Sequence, residues 1–346
     1  MRLGALLVVL ALVVEGAQNF KVGVLYWSMN IPGQVAMRQG LEAEAKKINK
    51  EAAVKGKRGV ELFTYVAGDG IEGMERQIGQ MYEAIRQKPD ILIVQPTDNA
   101  ALAKPLLEAN RLGIPVVAYD QYISQGKLAS FLTSDNYMAG WLDGEYIASL
   151  YPDSKTILVA LVEYPHVSGP VDRVEGFLDA LKRAGQPYKV VKSYKAVEPK
   201  SGRIAGRKIV ADFPMKGSLD VVFCINDGGG ISVAKELEKA GRNEIKVATV
   251  DGDPESVAMI RAGRQIVIDS AQFCGPLGAA ALRTAYKILN NEKVPKQQLI
   301  PVFPVTKETL SRYPGWLGPI PDAFDKPWKS TQPRWDNQLR SVDTNQ

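Results

Sequence analysis

The side chains able to do chemistry sit just past the ends of apolar runs. Asp120 closes IPVVAYD, and Asp251 closes VATVD, two segments of the same design in different halves of the chain. Facing acids on equivalent strands could act as a general acid and base. They could equally accept hydrogen bonds from the hydroxyls of a polyhydroxylated solute. Around them, at other run ends, fall Asn30, Gln34, Gln121, Arg173, Asn226 and Gln272, with Tyr26 and Trp27 beside them. Planar amides, carboxylates and a guanidinium match the hydroxyl edges of a sugar, and an aromatic ring matches its apolar C–H face. Any one of these residues alone is an ordinary cap or turn former. As a set at matching places in two halves they favour a binding cleft.

Enzymatic chemistry is harder to assemble. The single histidine, His166, lies in YPHVSGP, so His-based metal sites and triads have one candidate at most. GxSxG and CxxC are both missing. The glycines of VVFCINDGGGIS fail the dinucleotide spacing, because the third required position from Gly228 is Val233, and no lysine follows to complete a P-loop. They are expected to let the chain turn sharply into a helix, with Asp227 as its cap. A true GxGxxG, Gly68, Gly70 and Gly73, stands in the second strand-helix unit of its half, where it reads as a turn that starts a helix. A nucleotide-dependent enzyme using Gly68 and Gly70 is the rival reading. No catalytic residue, metal or cofactor is expected.

The elements that must position these residues come from an internal duplication. DILIVQPTDNAALAKPLLEANRLGIPVVAYD (Asp90 to Asp120) and DVVFCINDGGGISVAKELEKAGRNEIKVATVD (Asp220 to Asp251) each read as strand, helix and strand. Earlier in each half, KVGVLYW precedes a helix and TILVALVEY precedes another. Continuous apolar strands joined through helices indicate parallel sheets covered on both faces. The expected fold class is therefore α/β, with two similar doubly wound lobes. Ligands of such sheets sit beyond the strands' carboxyl ends. That rule selects Trp27 to Gln34, Thr97 and Asp98, Asp120 and Gln121, His166 to Arg173, Asn226 and Asp227, Asp251, and Gln272.

A chain of 346 residues suits two domains of about 150 residues each. Net charge is +5, with basic residues scattered among nearly as many acids, which argues against nucleic acid as a partner. Met1 and Arg2 followed by LGALLVVLALVV, then Gly16 and Ala17, read as an export signal over residues 1–17. A buried N-terminal helix is the alternative. Cys224 and Cys274 leave pairing open. From Ser311 onward the chain is rich in Pro and Trp and has neither period. It reads as an extension over 311–346 that wraps a surface through Trp316, Trp328 and Trp335 and then frays.

The motifs VGVLYWSMNIPG, VVAYDQ, TSDNYMAGWLDGEYIA, DRVEGF, VVFCINDGG, VATVDGDPE and IDSAQ follow in an order that resembles the type I periplasmic solute-binding proteins, especially the ribose- and galactose-binding group, from about Phe20 to Leu310. The resemblance implies two lobes closing over one small ligand (periplasmic binding protein-like I fold) and joined by three crossovers, near Ser134 and Asp135, Gln272 and Phe273, and Pro301 and Val302. The lobes would be 18–134 plus 273–301 and 135–272 plus 302–310. It also implies ligand contacts from Asp120, Arg173, Asn226, Asp251 and Gln272. Gln121 stands where ribose binders carry arginine, the segment Pro32 to Gln34 looks like the autoinducer receptor of the same fold, and Trp27 falls where glucose/galactose binders carry a stacking aromatic. These departures imply a ligand other than plain ribose. The implied protein is a monomeric, periplasmic, non-enzymatic binding protein. It hands a monosaccharide or polyol to a membrane ABC permease or, alternatively, reports its ligand state to a sensor histidine kinase.

Overall fold

The computed structural model describes residues 18–164 and 168–342. The expected export signal and His166 lie outside the described residues. In the first half, β1 (Phe20–Tyr26), α1 (Pro32–Val54), β2 (Val60–Val66), α2 (Gly70–Arg86), β3 (Ile91–Val94), α3 (Ala103–Arg111), β4 (Val116–Tyr119) and β5 (Ser130–Ser134) alternate. The second half repeats the plan. It runs α4 (Asn136–Ser149), β6 (Ile157–Glu163), α5 (Ser168–Arg183), β7 (Tyr188–Lys195), α6 (Pro199–Asp212), β8 (Val221–Cys224), α7 (Asp227–Lys239), β9 (Lys246–Asp251), α8 (Pro254–Arg261) and β10 (Ile266–Ala271). The chain then continues through α9 (Cys274–Leu289), β11 (Gln297–Ile300) and β12 (Phe303–Thr306). It ends in three short strands, β13 (Phe324–Asp325), β14 (Arg334–Trp335) and β15 (Arg340–Val342).

Two large sheets result, beside a two-stranded β13-β14 ribbon, and the duplication is visible in the order of the large ones. One runs β15-β11-β5-β4-β3-β1-β2 and the other β12-β10-β9-β8-β6-β7. Without the end strands, each half has its second strand outermost, then its first, third, fourth and fifth, all parallel. The central strands β3, β4 and β8 are buried at every residue, as continuous apolar runs between helical layers must be. The acids that open the two repeats do the same job. The Asp90 carboxylate accepts from Lys21 N at 2.7 Å, and the Asp220 carboxylate from Leu158 N at 2.8 Å. Each staples the start of the first strand of its half at the point where strand order reverses. In folds of this kind that reversal opens a crevice at the opposite, carboxyl, end.

Helices close over the sheets through backbone contact. A Cβ on Gly140 of α4 would lie 1.8 Å from the Arg173 carbonyl oxygen, and one on Gly176 of α5 would lie 2.0 Å from that of Tyr137. Glycine alone lets α4 and α5 approach so closely. The glycines after β8 serve the same purpose, which corrects the expectation of a sharp turn. Gly228, Gly229 and Gly230 have ordinary negative φ, but added Cβ atoms on Gly228 and Gly230 would strike the Val197 carbonyl and the Thr249 hydroxyl, and one on Gly229 would press tightly against the Ala196 backbone. At Gly68 and Gly70, by contrast, φ is +91° and +66°, the turn conformation expected where α2 begins.

The C-terminal end also departs from expectation. It does not fray over its described length. β15 adds antiparallel to β11 at the edge of the first sheet. Among the described residues, Cys224 and Cys274 are free and buried.

Candidate functional site

Two strand ends carry the acids in unusual backbone conformations. Asp120, directly after β4, has φ +67°, and Asp251, closing β9, has φ +129°. Both values are costly for a residue with a side chain, and such strain persists where the surroundings hold it. Holding groups are present at both. Asp120 N donates to Leu132 O at 2.8 Å and its carbonyl accepts from Thr133 Oγ1. The Asp251 carbonyl accepts from Gln272 N at 3.1 Å and from Trp316 Nε1 at 2.7 Å.

Arg173 of α5 is the hub of the second half. Its Nε donates to Asn136 Oδ1 at 2.9 Å, and its Nη1 donates to Ile225 O at 2.7 Å and to Asp251 Oδ1 at 3.1 Å. Its side chain is nearly buried, so the guanidinium is fixed before any ligand arrives. Its Nη2 has no hydrogen-bond acceptor among the described residues. Gln272 completes the set, with Nε2 donating to Asp251 Oδ1 at 2.6 Å and Oε1 accepting from Ser134 Oγ at 2.7 Å. Asp251, Arg173 and Gln272 are therefore brought together as one network.

In the first half, Asp120 is held by Gln95, whose Nε2 donates to Oδ2 at 3.0 Å. Gln95 also accepts from Trp27 N at 3.2 Å and is fully buried, so one side chain ties the end of β3 to the loop after β1 and to the acid. Burial pushes the Asp120 carboxyl up to about 6, against the pull of the Gln95 hydrogen bond. The charge of Asp251 raises it further and that of Arg173 lowers it. Asp120 therefore lies within electrostatic reach of Asp251 and Arg173 in the second half. The Asp251 carboxyl is also raised, mainly by burial and against Arg173 and Gln272.

The remaining selected residues divide. Gln121 is half-buried, and its amide has no hydrogen-bond partner among the described residues. Trp27 is half-buried at the end of β1. Asn30 is exposed and donates to Asp69 Oδ2 at 2.7 Å. Gln34 is buried, and its Oε1 accepts from Ser28 N at 3.0 Å, closing the loop before α1. Thr97 bonds to Gln77, and Asp98 caps Ala100 and Ala101, so both shape a turn.

The caps after β8 are exchanged relative to expectation. Asn226, not Asp227, caps α7, accepting from Gly229 N at 3.2 Å, while its Nδ2 donates to Val197 O at 2.9 Å. That leaves Asn226 one amide hydrogen for a ligand. Asp227 is buried instead, accepting from Asp253 N at 2.7 Å and Ser256 Oγ at 3.0 Å. Two residues of the site escaped the sequence reading. Gln95 directly follows the run DILIV and satisfied the same strand-end rule, whereas the contact of Asn136 with Arg173 spans two helices and has no local signal. Among the described residues, no group of three or more His, Cys, Asp or Glu could hold a metal ion, and no helix is long and apolar enough to cross a membrane.

Two parallel-sheet lobes of the same strand order define a two-lobed α/β fold. The chain matches the periplasmic binding protein domain family over residues 22–293 and belongs to it. It is 24% identical to the ribose import binding protein of Escherichia coli over 288 residues, 83% of this chain and 90% of that one. Identity to the ribose import binding protein of Bacillus subtilis is 28% over 282 residues, 81% and 85% of the two chains. Among solved structures, an ABC transporter periplasmic solute binding protein from Actinobacillus succinogenes with bound D-allose superposes with a TM-score of 0.73 at 23% identity. The match covers 85% of this chain and all of that one. The Caulobacter myo-inositol binding protein, bound to myo-inositol, superposes at 0.69 with 24% identity, covering 84% and 95%.

Proposed function

We propose that this protein captures a monosaccharide or related polyol between lobes 18–134 plus 273–301 and 135–272 plus 302–310, and delivers it to a membrane ABC permease. One observation carries the reading. The guanidinium of Arg173, fixed by Asn136, Ile225 and Asp251, lies within the field of Asp120 from the other half. A solute with hydroxyls on both edges is the ligand such a set suits, because only the closed form engages Asp120 and Gln121 together with Arg173, Asn226, Asp251 and Gln272. Trp27 supplies the apolar contact for the ring face. The relatives named for ribose, and the neighbours titled for allose and myo-inositol, support this ligand class.

The protein works in this reading as a monomer in the periplasm and catalyses no reaction. The signalling alternative gains nothing from Gln34, whose amide oxygen is already taken by Ser28 N. The deciding experiment is a thermal-shift screen against pentoses, hexoses, polyols and nucleosides, followed by calorimetry on the hits. A ligand at about a hundred times its dissociation constant adds about 2.7 kcal/mol. A screen in which nucleosides alone shift the transition would overturn the sugar assignment.

A further inference from the structure

The segment beyond Leu310 lies outside the span matched by the family, yet it is bound to each chain crossing between the two sheets. At the crossing from β5 to α4, Arg340 forms an ion pair with Asp135, the cap of α4. At the crossing from β10 to α9, Gly275 N donates to Trp316 O at 2.8 Å, and Tyr313 packs against Phe273 with ring centroids 6.2 Å apart. At the crossing from β11 to β12, Trp335 Nε1 donates to Val302 O at 2.8 Å. The segment is anchored on both sides. Lys326 and Glu145 of α4 form an ion pair with each side chain 1% exposed, while β15 pairs with β11 in the other sheet.

Trp316 is the decisive residue. Its carbonyl holds Gly275 at the start of α9, which packs on α1 and so belongs with the first half. Its indole N–H holds the carbonyl of Asp251 in the second half. One residue thus bridges both halves through their backbones. We propose that residues 311–342 form a hinge strap that limits how far the lobes separate, with Trp316 as the positioning residue that sets Asp251 for the solute.

The mechanism follows from population arithmetic. Opening the hinge changes the backbone of all three crossings, so it must break or strain the strap's bonds to them. Those bonds favour the closed arrangement before ligand arrives. Affinity is reduced by whatever fraction of the protein is not binding-competent, so weakening the strap lowers affinity even though no strap residue is assigned a ligand contact.

The positioning claim rests on the solute-binding reading, whereas the strap itself can be tested without ligand. Spin labels at Glu75→Cys on α2 and Lys200→Cys on α6, both exposed, report the distance between the halves. In ligand-free protein, Trp316→Phe, which keeps an aromatic ring but loses the N–H, and Arg340→Ala should each broaden the distribution toward longer distances. Saturating solute should restore the narrow distribution in both. Trp316→Phe should bind the solute about three- to tenfold more weakly, as loss of one net hydrogen bond implies, with the change in the dissociation rate. Unchanged ligand-free distances in both variants would overturn the strap, and a dissociation constant for Trp316→Phe within twofold of the unmodified value would overturn the positioning role. If the unmodified protein binds none of the sugars, the solute reading fails, and the distances alone still decide the strap.

Discussion

Arg173 is held by two neutral acceptors and one acid in a nearly dry place, so truncation removes a ligand donor and also leaves Ile225 O and Asp251 underserved. Arg173→Ala should weaken solute binding by about 2 to 5 kcal/mol, measured by calorimetry, and equal affinity would remove Arg173 from the site. Asp120 gives a second test at this scale. Its carboxyl titrates near 6 because burial disfavours the charge, so the ligand-free protein holds a proton there at lower pH. A solute that donates to the carboxylate must displace that proton. Affinity should be level above pH 6 and fall by up to about tenfold per unit below it, while Asp120→Asn should give a weaker but flat profile. Asp120, Asp251 and Gln272 were legible in the sequence because strand ends are marked by where an apolar run stops, whereas Arg173, inside α5, was picked out by the DRVEGF motif. Sequence reasoning misassigned the cap between Asn226 and Asp227, since both residue types cap helices and the choice depends on what lies across the sheet. There Asp253 and Ser256 wait for an acid and Val197 for an amide.

Elements were legible where periodicity is strong. The buried parallel strands and amphipathic helices stand out in the sequence, and the duplication implied a common order for both halves. The last three strands were not legible, because two or three residues carry no period and their pairing comes from the surface they land on. The contact of α4 with α5 yields a prediction of its own. Gly176→Ala would force the helices apart at the Tyr137 carbonyl, costing about 1 to 3 kcal/mol in urea unfolding. It should also weaken solute binding, because Arg173 lies on the same helix face one turn away. Behind the site, Asp143 of α4, Asp227 of α7 and Asp269 of β10 are buried, and burial raises all three carboxyls, that of Asp269 to about 8. A carboxyl raised by folding contributes stability that is present at low pH and lost as pH rises through its folded value. The unmodified protein should therefore lose stability relative to Asp269→Asn between pH 5 and pH 8. A difference in urea midpoint that stays constant over that range would show that Asp269 is already ionised at the lower pH.

At the scale of the whole molecule, the proposed site is divided between two sheets. A solute held by Arg173, Asp251 and Gln272 alone would bind one half and leave the hinge unbiased, since a ligand shifts an equilibrium only through its different affinity for the two states. In the proposed function Asp120 supplies that difference. It follows β4 of the other sheet, is held by Gln95, and lies within the field of Asp251 and Arg173 in this arrangement. Saturating solute should therefore compact the unmodified protein, lowering the radius of gyration in X-ray scattering and raising the melting temperature together. In Asp120→Ala the two effects should separate. Weak binding to the second half should persist at high solute concentration and still raise the melting temperature slightly, but the radius of gyration should stay at its ligand-free value. Full compaction of Asp120→Ala by solute would mean that closure is driven from elsewhere, and the first-half side of the site would then have to be sought among Trp27, Asn30 and Gln121.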